Sequence, residues 1–276
     1  MEHQEFHFTF YNTKFFGQYY KSSTVKGVII LVHGMGEHAG RYNDFLIPKF
    51  LEHNISVIAY DQFGHGKTEG KRGHNPNFEA VLETVTIIKS KATDIFGDVP
   101  YFLYGHSMGG NVVLNYVLRK EHHFKGVIAT SPFLRISFKP PAWKLGVGKI
   151  IQKIAPSLTM SNELDPNHLS RDHKEVKKYI NDPLVHNKIS PNYSLTFFET
   201  GEWAMGNSQN LQTPTLVVHG TSDKITDHKA SVEFVENTNG TASLYLLENG
   251  YHELHNDLEK ESFMRTVIDW ILNVLN

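Results

Sequence analysis

The sequence predicts an α/β fold, a mostly parallel central sheet with helices on both faces and an inserted helical segment. Three observations carry this expectation. Apolar, β-branched runs alternate with stretches of helical periodicity along most of the 276 residues. One such run, Tyr101-Phe102-Leu103-Tyr104, passes into a helix-like segment through Gly105-His106-Ser107-Met108-Gly109. The alternation then breaks between about Phe133 and Trp203, where Pro140-Pro141, Pro156, Pro166, Pro183 and Pro191 punctuate a stretch without clear strands.

Residues 5–10 alternate polar and apolar and, with 15–20, predict an antiparallel hairpin at the sheet edge. Inner strands are expected over 28–32, 57–60, 101–104, 127–130, 215–218 and 244–247, short β-branched runs of the kind that lie buried on both faces. Helices are expected over 42–53, 78–91, 108–120, 229–236 and 258–274. A chain of this length with 40% apolar residues buries a large single core. We therefore expect one core over 1–132 and 204–276, with 133–203 inserted as a cap.

Bulk properties exclude several function classes. The 27 Lys and Arg against 29 Asp and Glu give a net charge of −2 and no basic stripe, so no nucleic-acid partner is expected. With no cysteine there is no disulfide framework, thiolate metal site or thiol nucleophile. Met1-Glu2-His3-Gln4-Glu5 lacks a basic start and apolar stretch, and no run approaches the ~18 apolar residues of a spanning helix. A soluble, cytoplasmic protein is expected; the oligomeric state is not legible.

The Gly105–Gly109 run reads as a nucleophile elbow, in which a serine sits on a strained strand-to-helix turn and small residues flank it at two positions' distance. In that architecture an acid and then a histidine follow, each on a loop after a strand. Asp223 lies just past the run Thr215-Leu216-Val217-Val218, and His252 follows Leu244-Tyr245-Leu246-Leu247. Taken singly, Asp223 is an ordinary turn former and His252 one of 17 histidines. Together with Ser107 they are candidates for base, orienting acid and nucleophile in acyl transfer. Such chemistry also needs backbone donors for a developing oxyanion. Met35 N–H, in His33-Gly34-Met35-Gly36 after the strand 28–32, and Met108 N–H are the natural pair. A dinucleotide cradle is the rival reading of that loop, but Gly34, Gly36 and Gly40 are spaced one residue too long. His252-Glu253-Leu254-His255 falls one residue short of a zinc-protease motif, and Gly66-Lys67-Thr68 lacks the first glycine of a phosphate loop. No metal or organic cofactor is called for.

Three segments, His33-Gly34-Met35-Gly36-Glu37-His38 with Arg41-Tyr42, Asp61-Gln62-Phe63-Gly64-His65-Gly66, and Gly105-His106-Ser107-Met108-Gly109-Gly110, closely resemble the monoacylglycerol lipase and lysophospholipase branch of the α/β-hydrolases. The likeness continues through Leu169-Ser170-Arg171, Asn181-Asp182-Pro183-Leu184 and Tyr251-His252-Glu253-Leu254-His255. It implies the α/β-hydrolase fold, a small lipid ester as substrate, and an alcohol site at Glu37, Arg41, His255 and, in the cap, Tyr179. Chemically, Glu37 and Arg41 equally suit a mutual ion pair, and His255 a surface position at a helix start. Mammalian relatives carry cysteines near the active site, a region where this chain has Thr226 and no cysteine at all, so thiol-based regulation does not carry over. A lysophospholipase and a broad carboxylesterase share this triad, whereas a non-catalytic binding module would have lost part of it.

Within 133–203, Trp143, Val147, Ile150, Ile151 and Ile154 recur at helical spacing, with Lys144, Lys149 and Lys153 around them. One reading packs this stripe on the rest of the protein. The other makes Phe133, Leu134, Phe138 and part of the stripe an apolar rim that touches lipid aggregates or a membrane surface and admits an acyl chain.

Overall fold

A computed structural model of the chain describes residues 2–138 and 142–276. In chain order the elements are β1 (Glu2–Phe10), β2 (Thr13–Lys21), β3 (Gly27–Val32), α1 (Leu46–Glu52), β4 (Ile55–Tyr60), α2 (Phe78–Phe96), β5 (Tyr101–His106), α3 (Met108–Arg119) and β6 (Gly126–Thr130). There follow α4 (Ala142–Ile154), β7 (Met160–Ser161), α5 (His173–Asn181), β8 (Lys188–Ile189), α6 (Pro191–Gly206), β9 (Thr215–Gly220), α7 (His228–Glu236), β10 (Ala242–Leu247) and α8 (Lys260–Leu275).

Eight strands form one sheet in the order β1-β2-β4-β3-β5-β6-β9-β10. The β1–β2 hairpin and the β2–β4 pair are antiparallel, and the rest is parallel. Helices on both faces explain why β3 reads as one apolar run. Val28, Ile30 and Val32 face a core covered by α2, α3 and α7, while Ile29 and Leu31 face the core under α1 and α8. Every long connection returns the chain across the sheet, so the loops after β3, β5, β9 and β10 gather at the carboxyl ends of the parallel strands, where ligands bind in open α/β sheets.

The strand expected inside the sheet over 244–247 is instead its edge, β10, which among the described residues pairs only with β9 and leaves Leu246 exposed; the other elements differ from expectation mainly at their ends. The helix expected over 42–53 is a short 3₁₀ turn, Ala39–Tyr42, followed by α1 from Leu46. Pro48 sets this start, because a residue without an N–H fits only the first turn of a helix. α2 begins where Asn77 Oδ1 accepts from Ala80 N at 2.8 Å, and it runs to Phe96, beyond the expected 91. Between β6 and β9 lie α4, α5, α6 and the two-residue pair β7–β8, too short to leave a periodic signature. α6 packs on both α3 and α4, and backbone bonds from His186 N to Gly36 O and from Ser190 N to Gly73 O, each 2.8 Å, tie this segment to the core loops.

Candidate active site

Ser107 sits between β5 and α3 with φ of 54° and ψ of −113°, a conformation that costs a non-glycine residue roughly 1–3 kcal/mol. Neighbouring backbone holds it there. Ser107 N donates to Thr130 O, and Asn111 N and Phe133 N donate to Ser107 O.

His252 Nε2 lies 2.9 Å from Ser107 Oγ, and its Nδ1 lies 2.7 Å from Asp223 Oδ2. All three residues are buried. Asp223 Oδ1 accepts from the amides of Ile225 and Thr226, and Oδ2 also receives Thr226 Oγ1 at 2.9 Å and lies 3.1 Å from His219 Nε2. An ionised carboxylate only accepts, so the proton of neutral His252 resides on Nδ1 and the Nε2 lone pair faces the Ser107 hydroxyl. Ser131 Oγ donates to His252 O at 2.8 Å and fixes the histidine loop from below.

Burial pushes the Asp223 carboxyl up, but the His252 charge and hydrogen bonds from His219 and His252 outweigh it and hold the group well below the usual carboxylate range. Burial pulls His252 down, and the Asp223 charge and hydrogen bond overcome that and raise it above 6.5. A neutral His252 is needed to accept a proton. The acid limb of kcat/KM is therefore expected above pH 6.5, with activity lost as pH falls through it. Asp223→Asn should shift that limb downward and lower kcat by about 10⁴-fold. Rate measurements from pH 5 to 9 check this; an unshifted limb in the variant contradicts it.

Met35 and Met108 line the same cavity as Ser107, and among the described residues neither N–H meets an acceptor. Unpartnered backbone amides are the kind of donor that an oxyanion takes. The cavity, about 720 Å³, is mostly apolar and is walled by Phe133, Phe138, Val147, Ile151, Leu195 and Phe197 among others. Its size falls in the range of small-ligand sites.

The remaining expected residues divide. Phe133, Phe138, Val147 and Ile151 reach the cavity. Leu134 packs in the core against α6 and is almost fully buried, while Ile150 is 59% exposed on α4. The Trp143 side chain lies outside the described residues. Glu37 and Tyr179 line the cavity, but Arg41 lines a separate cleft with Asp44, Glu175 and Lys178. Its guanidinium donates to Glu37 Oε2 at 2.8 Å and grips Glu253 through two bonds of 2.6 and 2.8 Å. The Tyr179 ring covers it at 4.7 Å. His255 is buried, stacked on Tyr42, with both ring nitrogens unpartnered among the described residues, so it is no surface residue. Burial pushes it down to about 3, which keeps the imidazole neutral.

Glu253, His219 and Ser131 join the site without being marked as site residues by any of the motifs above. Glu253 directly follows His252, and its pairing with Arg41 spans 212 positions, so no local pattern reveals it.

A family model described as serine aminopeptidase, S33, matches residues 23–259. The chain is 30% identical over 268 residues to a monoglyceride lipase homolog of Monkeypox virus, covering 95% of each. It is 41% identical over 246 residues to an uncharacterized abhydrolase domain-containing protein of Dictyostelium discoideum, covering 88% of this chain but only 26% of that longer protein. Among solved structures, a monoacylglycerol lipase of Paleococcus ferrophilus superposes with a TM-score of 0.86 at 33% identity, covering 99% of this chain and 100% of that one. The chain belongs to the serine aminopeptidase S33 family of the α/β-hydrolases.

Proposed function

We propose that the protein hydrolyses monoacylglycerols to fatty acid and glycerol through an acyl-enzyme on Ser107. The observation that carries the reading is the 2.9 Å contact between His252 Nε2 and Ser107 Oγ at the floor of a mostly apolar cavity with two free amides. The acyl chain lies along Phe133, Phe138, Val147 and Ile151, under the segment 133–203 acting as a cap. His252 takes the Ser107 proton as Oγ attacks the ester carbonyl, and Asp223 stabilises the imidazolium. Met35 and Met108 N–H hold the oxyanion. Protonated His252 then donates to the departing glycerol oxygen, and the same residue activates water to cleave the acyl-enzyme. The glycerol faces Glu37 and Tyr179, with Arg41 and His255 behind them shaping that end. Supporting the substrate assignment are the monoglyceride lipase names of the relatives and the solved neighbour. Hydrolysis of 2-monooleoylglycerol, oleoyl lysophosphatidylcholine and p-nitrophenyl butyrate by the purified protein tests the reading. Preference for the monoacylglycerol supports it, and preference for the lysophospholipid reassigns the protein as a lysophospholipase.

Contact with lipid surfaces is part of the proposal. Phe138, Ile150, Ile154 and Leu158 are all about half exposed or more, with Lys149 and Lys153 exposed beside them. Among the described residues no helix is long and apolar enough to cross a membrane. An apolar face flanked by lysines suits the headgroup boundary. The double substitution Ile150→Glu with Ile154→Glu is expected to lower partitioning onto phosphatidylcholine–phosphatidylglycerol vesicles at least about tenfold, since each buried side chain contributes ~1.5–3 kcal/mol. Equal sedimentation of both proteins with the vesicles contradicts this contact.

A further inference from the structure

We infer that His219 is a positioning residue for the triad: it donates a second imidazole hydrogen bond to Asp223 and so limits how tightly that carboxylate holds His252. The inference rests on acyl transfer at Ser107 and not on which alcohol departs. Side chains alternate along β9, and Val217 faces the core covered by α7, so His219, two residues on, faces α7 as well. It is fully buried near the end of the strand. There its Nδ1 lies 2.8 Å from Ser231 Oγ on α7, and its Nε2 lies 3.1 Å from Asp223 Oδ2. A continuous chain therefore runs from Ser231 through His219, Asp223 and His252 to Ser107, with two imidazoles on one carboxylate oxygen.

The donor roles follow from the groups themselves. An ionised carboxylate only accepts, so His219 carries a proton on Nε2, and the Ser231 hydroxyl can donate to Nδ1 and hold that tautomer. Asp223 Oδ2 then takes the His252 N–H at 2.7 Å, the Thr226 hydroxyl at 2.9 Å and the His219 N–H at 3.1 Å, three donors on one oxygen. A carboxylate whose charge is spread over several donors favours each of them less strongly. Without His219, more of that charge falls on His252, the imidazolium is held more tightly, and less neutral base is present at a given pH. The other titratable groups around this chain are His228 on α7, its ring centroid 6.3 Å from that of His219, Lys224 next to Asp223, and His106, Glu253 and Glu37 around His252. Changing residue 219 alone removes none of them, so a shift reads the lost donor.

The test is the acid limb of kcat/KM for p-nitrophenyl butyrate in wild type, His219→Phe and His219→Gln. Phenylalanine keeps a buried ring and removes the donor, whereas glutamine carries an N–H near the position of Nε2. His219→Phe is expected to move the limb up by about half a pH unit or more and to lower kcat about tenfold, and His219→Gln to return the limb to its wild-type position. A limb that stays put in folded His219→Phe, or that moves equally in both variants, overturns the inference, while hydrolysis at Ser107 stands. Nitrogen NMR of the wild-type imidazoles, assigned through the backbone, needs no variant to fold. It is expected to show His219 protonated at Nε2, and a bare Nε2 overturns the inference as well. Turnover surviving in Ser107→Ala removes the triad reading itself, and the inference with it.

Discussion

Ser107→Ala is expected to lower kcat on monooleoylglycerol by about 10⁶-fold while leaving the fold intact, the loss seen when one member of a cooperating triad is removed. Among the described residues, the Ser107 hydroxyl is the only one within hydrogen-bond distance of His252 Nε2, so no second nucleophile stands ready. Thr226 Oγ1 approaches the other ring nitrogen at 3.3 Å and cannot take its place. The strained φ of 54° is imposed by the turn and is no harder for alanine than for serine, so thermal stability should change little. Residual catalysis, roughly 10³–10⁴ over water, would come from the oxyanion donors and binding alone. Steady-state turnover of both proteins checks this, and a loss smaller than about a hundredfold contradicts it.

The second large effect lies two residues further on. A Cβ on Gly109 would stand 2.0 Å from Val32 O and 2.7 Å from His33 O. Both atoms are backbone, at the end of β3 and in the loop that leads to Met35, so neither a rotamer change nor a small side-chain shift relieves the clash. Gly109→Ala is therefore expected to cost about 4 kcal/mol or more in unfolding free energy, in the range reserved for gross steric conflict. It should also displace the Met35 amide and lower kcat in whatever protein remains folded. Gly146→Ala is the control. That glycine lies within α4 and, among the described residues outside its own helix turn, nothing stands within 4 Å of its would-be Cβ, so replacing it should stabilise by about 0.5–1 kcal/mol. Urea midpoints of the three proteins decide the matter, and a loss below 1 kcal/mol at Gly109 contradicts the elbow geometry.

What was legible in the sequence was local or periodic. The elbow could be read because Ser107, its flanking glycines and the Met108 amide are contiguous and follow a run too apolar to be anything but a buried strand. Asp223 and His252 could be proposed because each follows a strand, and the parallel sheet brings those strand ends to one side, which is how residues 107 and 252 come within 2.9 Å. Side-chain direction within 133–203 was not legible. Val147 and Ile151 face the cavity and Ile150 faces outward, a choice made by packing against α6, while Leu134 turns into the core. The carboxylate clamp was half legible. Glu37 and Arg41 stand four positions apart, but the stronger partner of Arg41 is Glu253, across the whole fold. Removing Arg41 would leave two buried carboxylates unpaired, and breaking such a pair typically costs ~3–5 kcal/mol. Ser131, held at φ of 43° beneath His252, has no sequence signature.

The most direct test of the central claim is to identify the nucleophile. The protein would be incubated with a long-chain alkyl fluorophosphonate, and intact-mass and peptide analysis would locate the adduct. One adduct per chain on Ser107, formed in step with loss of monooleoylglycerol hydrolysis and abolished by His252→Ala, is the result expected. An adduct on another serine, or full turnover by a protein labelled at Ser107, would contradict the account.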